Sequence, residues 1–133
     1  MKRGTILFHS KFRFHNGEIG EKFLVILNNQ KSRDPFLVAK TTAQDNNKSR
    51  NPGCILKENL FFIEVSKTWF KLDTWVQLFE VYPFTASEVL KARFDGDLEI
   101  RGELPEQKAN EIKNCVKRLI DFPVRYKEMI VKK

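Results

Sequence analysis

Gly4-Thr5-Ile6-Leu7-Phe8-His9-Ser10-Lys11-Phe12-Arg13-Phe14 has the composition of a strand. Strand-forming residues open it, then Phe12 and Phe14 alternate with Lys11, Arg13 and His15. A period of two predicts a half-buried strand with cations on its wet face. His15 to Gly20 reads as a loop, because Asn and Gly tolerate positive φ. Lys22 to Leu27 is an almost continuous apolar run and predicts a buried strand. Asn28 to Asp34 reads as a polar hairpin loop, Pro35 to Thr42 as a third strand, and Ala43 to Gly53 as a polar, basic loop. Leu60–Val65, Phe70–Val81 and Leu98–Glu103 predict further strands.

Two helices interrupt the β pattern. Thr85 with Glu88 three residues on forms a capping-box signature for a short helix over Ala86–Arg93. Pro105 suits a first helical position, and Ala109, Ile112, Val116, Leu119 and Ile120 recur at helical spacing until Pro123. Residues 122–133 read as a basic C-terminal tail, with an edge strand as the other option. The expected class is mainly β with α: six or so short strands rolled into a small barrel, one short helix, and a C-terminal amphipathic helix.

At 133 residues the chain is sized for one domain. Its apolar runs are too short to span a bilayer or to form a signal peptide. Cys54 and Cys115 lie far apart with no Cys/His cluster, so neither zinc nor a disulfide is expected, and a reducing cytoplasm is the default. The net charge of +7 is lopsided. Residues 1–50 hold ten Lys/Arg against four Asp/Glu, and residues 51–133 hold fourteen against thirteen. A one-sided cationic field suits a polyanion such as nucleic acid. A solvated basic surface that aids solubility explains the same charge.

P-loop, GxGxxG, HExxH and GxSxG motifs are all absent, which removes support from most enzyme classes. What remains is a set of polar groups at the ends of the first three strands. Antiparallel order brings Lys22, His15 and Thr41-Thr42 toward one rim. RNA cleavage by its own 2′-hydroxyl needs proton transfer and charge stabilisation but no metal or cofactor, roles that Lys, Thr and His can fill, although such residues cluster on many surfaces. Lys22 and both threonines are equally ordinary strand residues. His9 reads as a core or edge histidine, and His15 as a loop histidine able to move a proton. Phe12, Phe14, Trp69 and Trp75 could stack unpaired bases, although most of twelve phenylalanines must be core.

The ordered set of short motifs resembles the MazF/PemK (CcdB-related) toxin family of prokaryotic toxin–antitoxin systems. Gly4-Thr5-Ile6-Leu7 is similar to the family's opening Gly-Asp-Ile-hydrophobic strand, and Phe12-Arg13-Phe14 to the aromatic stretch before its first loop. Gly20 to Leu27 resembles its loop glycine, basic residue and apolar strand, and Lys40-Thr41-Thr42-Ala43-Gln44 its Thr-Thr/Ser strand end. Leu72 to Leu78 resembles its central strand. Gly96 to Leu104, with the helix Pro105–Ile120, resembles its closing strand and helix. The likeness covers roughly residues 4–121.

That resemblance implies an SH3-like barrel of about six to seven strands, a homodimer, and a growth inhibitor held by an acidic antitoxin. It implies a cytoplasmic, metal-independent endoribonuclease that cleaves single-stranded RNA. Carried onto this chain, the catalytic positions are Lys22 and Thr42, with Thr41 and His15 beside them. RNA binding is expected from Lys11, Arg13, Phe14, Lys40, Lys48 and Arg50. Lys22-Phe23 stands where the family has Arg-Pro, and Lys is a compact charge without the bidentate fork of Arg. A non-catalytic RNA- or protein-binding module is therefore the alternative, and a topoisomerase poison acting through the C-terminal residues is a third. A neighbouring reading frame for a small acidic protein would favour the toxin readings.

Overall fold

The alternating N-terminal stretch forms β1 (Thr5–Arg13), which pairs antiparallel with β2 (Ile19–Ile26), setting Phe8 opposite Phe23 and His9 opposite Lys22. The computed structural model describes residues 1–65 and 70–131. Among these residues the chain is mixed α/β, with eight strands in one antiparallel sheet and three α-helices. The further strands are β3 (Phe36–Thr42), β4 (Gly53–Ile55), β5 (Leu60–Ile63), β6 (Thr74–Gln77), β7 (Tyr82–Phe84) and β8 (Leu98–Glu103). Their order is β4-β5-β6-β3-β2-β1-β8, with β7 on β3. No ladder among the described residues joins β4 to β8, so the sheet is not closed.

β2 explains its own unbroken apolar run. Leu24 and Ile26 enter one core with Leu7, Val38 and Tyr82, while Val25 and Leu27 enter another with Ile6, Phe61 and Val76. A strand buried on both faces has no polar alternation to show. Each such side chain contributes about 1.5–3 kcal/mol by leaving water. β3 changes partner along its length. Phe36–Val38 pair with β7, whereas Thr41 and Thr42 pair with Val76 and Trp75 of β6.

α1 (Ala86–Phe94) carries the expected capping box: Thr85 Oγ1 accepts from the Glu88 N–H, and the Glu88 carboxylate accepts from the Thr85 N–H. α2 (Glu106–Arg118) starts just after Pro105, and Ala109, Ile112, Val116 and Leu119 are buried. Ile120 leaves the expected stripe because the helix ends at Arg118, and it is 92% exposed. Gly4 has φ +91°, and a Cβ there would lie 2.9 Å from Ala109 Cβ, so glycine lets α2 close on the start of β1.

The structure corrects several expectations. Residues 124–131 are not a loose tail or edge strand but a helix, α3 (Val124–Val131). Tyr126, Met129 and Ile130 recur at helical spacing and pack on the larger core, with Ile130 fully buried. Arg3 ties this helix down, donating from Nη2 to the Ile130 carbonyl at 2.6 Å and from Nε to the Leu27 carbonyl at 3.2 Å. The strand expected over Phe70–Val81 shrinks to β6. Just before β6, Asp73 accepts from the Val65 N–H and from Arg50. β7 was not expected. It contains Pro83, which a strand off the main path tolerates.

The expected absence of a disulfide is overturned. Cys54 of β4 and Cys115 of α2 are bonded, with their Cα atoms 5.4 Å apart. Packing of β4 against α2 brings together residues that 61 positions of chain separate, a nearness that spacing alone does not reveal. Among the described residues no helix is long and apolar enough to cross a membrane.

Candidate functional site

Lys22 precedes the buried half of β2, and antiparallel pairing lays it beside the far end of β3. Its ammonium donates to the Thr41 carbonyl at 2.9 Å. Lys22, Thr41 and Thr42 line one cavity of about 670 Å³. Burial, and after it the positive charge of Lys40, hold the Lys22 pKa below the ordinary lysine value. An ammonium has three donors, so two remain for a ligand.

The two threonines differ in what their hydroxyls can do. Thr41 is buried and donates to the Phe23 carbonyl at 2.9 Å, which locks β3 to β2. Thr42 is half-buried and its Oγ1 accepts from the Gln44 N–H at 3.2 Å. That leaves the Thr42 hydroxyl with its hydrogen still to donate. The cavity wall also includes Glu21, an exposed carboxylate at the start of the same segment.

His15 does not join this group. Its ring stacks on Tyr82 at 4.1 Å, and its Nε2 lies 3.7 Å from Glu80. Burial, then the charge of Glu80, pushes the Tyr82 hydroxyl above its usual pKa. Lys40 belongs to this second cluster. It pairs with Glu80 at 2.9 Å, donates to Gln77, and sits over the Phe79 ring, with only 12% of its side chain exposed.

The other residues expected to meet RNA are dispersed. Lys11 and Arg13 line a separate hollow of about 190 Å³ with His9, whose pKa burial lowers. Lys11 lies 3.9 Å from Asp97, and Arg13 donates to the Gly17 carbonyl. Phe14 packs edge-on against Phe12 and faces Gly20. Lys48 donates to the Gln44 carbonyl. Arg50 bonds both Asp45 and Asp73 and lies over Trp75, so its charge is spent holding the 43–52 loop. Trp75 itself is fully buried, and Trp69 lies outside the described residues.

Sequence reasoning missed Phe8, Phe23 and Arg101 on the cavity wall. Arg101 alternates outward with Glu99 and Glu103 on β8, which is a visible signal, but the β1–β8 pairing that brings it to Phe8 is not local. A third hollow, of about 640 Å³, lies between the N-terminus and α2, lined by Arg3, Glu106 and the pair Lys2–Glu103, 3.8 Å apart. No protein-family model matches the chain, and no curated protein matches it.

Proposed function

We propose that the chain is a MazF/PemK-like toxin built on an SH3-like barrel, a homodimeric endoribonuclease that cleaves single-stranded RNA and is held by an acidic antitoxin. One observation carries this reading: Lys22 and Thr42 line the same cavity, which Glu21 also lines. The RNA supplies its own nucleophile. Glu21 accepts the 2′-hydroxyl proton as the oxygen attacks phosphorus, Thr42 donates to a non-bridging oxygen, and Lys22 offsets the growing charge. Lys22 then protonates the departing 5′-oxygen, leaving a 2′,3′-cyclic phosphate. A lysine pKa lowered by burial suits that proton transfer.

The test is incubation of the purified protein with mixed-sequence RNA in EDTA, reading the ends formed. Cyclic-phosphate ends that disappear with Lys22→Ala support the reading, and intact RNA rejects it. The bond from Lys22 to the Thr41 carbonyl favours a second reading, a module that binds RNA without cutting it. Under that reading, salt-dependent binding persists while the strand stays whole.

A further inference from the structure

The cavity around Lys22 has a wall that cleavage chemistry leaves unused. Phe8 and Phe23, opposite each other on β1 and β2, hold their rings 5.1 Å apart. Phe23 also meets Phe70 edge-on at 6.2 Å and is 37% exposed. Arg101 reaches over from β8, its guanidinium carbon 4.5 Å above the Phe8 ring and 5.9 Å from the Phe23 ring. Glu99 accepts from its Nε at 2.9 Å, which holds the group from a second side. Among the described residues the two terminal nitrogens of the guanidinium have no partner.

A guanidinium seated over one ring presents its other face as a flat cationic surface, with donors along its edge. Aromatic walls under the Arg101 cation, in a cavity that Lys22 also lines, match a ligand that joins a planar π-system to a phosphate. A bare anion would leave the aromatic wall idle, and an apolar ligand would leave the cations unpaired. We propose that Phe8, Phe23 and Arg101 form a subsite for one unpaired nucleobase, stacked on the Arg101 guanidinium and Phe23, with its phosphate toward Lys22. This inference rests on the RNA reading given above.

The test uses the full chain and compares nucleoside 5′-monophosphates with ribose 5-phosphate by NMR titration. A 2′-O-methyl single-stranded oligonucleotide, which cannot be cleaved, serves as a control for strand binding. The expected result is about tenfold tighter binding of at least one monophosphate than of ribose 5-phosphate. Arg101→Ala and Arg101→Lys both erase that preference, whereas Lys22→Ala weakens the monophosphate and ribose 5-phosphate alike. Phe23→Leu gives a second reading of the same wall. If the oligonucleotide binds but base and no base are treated equally, the subsite is overturned while RNA binding stands. If Arg101→Lys keeps the full preference, charge and not the guanidinium plane is responsible, and the proposal fails. If neither oligonucleotide nor monophosphate binds, the RNA reading falls and the subsite with it.

Discussion

The Lys22 ammonium lies 2.9 Å from the backbone carbonyl oxygen of Thr41, a bond from β2 to β3 across 19 positions of chain. It fixes the cation on β3, next in sequence to Thr42, without neutralising it, because a carbonyl carries no formal charge. Removing the cation while keeping the fold is therefore the direct test of its role. Lys22→Ala is expected to lower RNA cleavage by about 10²-fold or more, the usual range for loss of a proton-transferring group. Unfolding curves of wild type and variant should nearly coincide, and a cleavage rate unchanged by the substitution would remove Lys22 from the chemistry.

The pH profile carries a sign. Burial, and next the charge of Lys40, lower the Lys22 pKa, so cleavage that needs the ammonium is lost on the alkaline side earlier than for an ordinary lysine. Lys40→Met, combined with Glu80→Gln to avoid an unpaired carboxylate, moves that limb to higher pH. Measuring kcat/KM against pH for both proteins decides it. Stability behaves oppositely: the unfolded chain holds the Lys22 proton more tightly, so the fold gains stability as pH rises between the lowered and ordinary pKa values.

Arg50 separates charge from architecture. Its bonds to Asp45 and Asp73 and its place over Trp75 make it a brace for the 43–52 loop. Arg50→Ala is expected to lower the melting temperature and to speed proteolysis within residues 43–52. RNA affinity should change less than with Lys22→Ala. An equal loss of affinity in the two variants, measured by anisotropy, would make Arg50 a ligand-binding residue after all.

Gly4→Ala introduces a Cβ 2.9 Å from Ala109 Cβ at a backbone φ of +91°. The strain and the close contact together should cost about 1–3 kcal/mol. Urea unfolding reads this as a lower midpoint with an unchanged slope.

Reduction of Cys54–Cys115 opens a link across 61 positions. The chain-entropy relation assigns such a loop about 4 kcal/mol. Thermal unfolding with and without a thiol reductant should show that loss, and Cys54→Ser should reproduce it without reductant. Alkylation of thiols at the moment of cell lysis reports whether the bond exists in the compartment where the protein works.

Much of the molecule was legible because its signals are local. Alternation along Lys11–Phe14, the apolar run Phe23–Leu27, the Thr85/Glu88 pair and the stripe Ala109–Leu119 each report their element within a few residues. α3 went unread because its basic residues, Arg125 and Lys127, hid the spacing Tyr126–Met129–Ile130. β7 is three residues long and contains a proline, too little for any period to show.

Strand periods, helix caps and the excess of cations in residues 1–50 follow from the chain alone, since each depends on neighbours in sequence. Only the folded molecule decided that Cys54 meets Cys115, that His15 stacks on Tyr82, and that Arg101 lies over Phe8. Those pairings depend on which strands lie side by side and which helices pack on them, and they join residues 61, 67 and 93 positions apart. Periodicity says which face of a segment is buried; it does not say which distant segment will cover it.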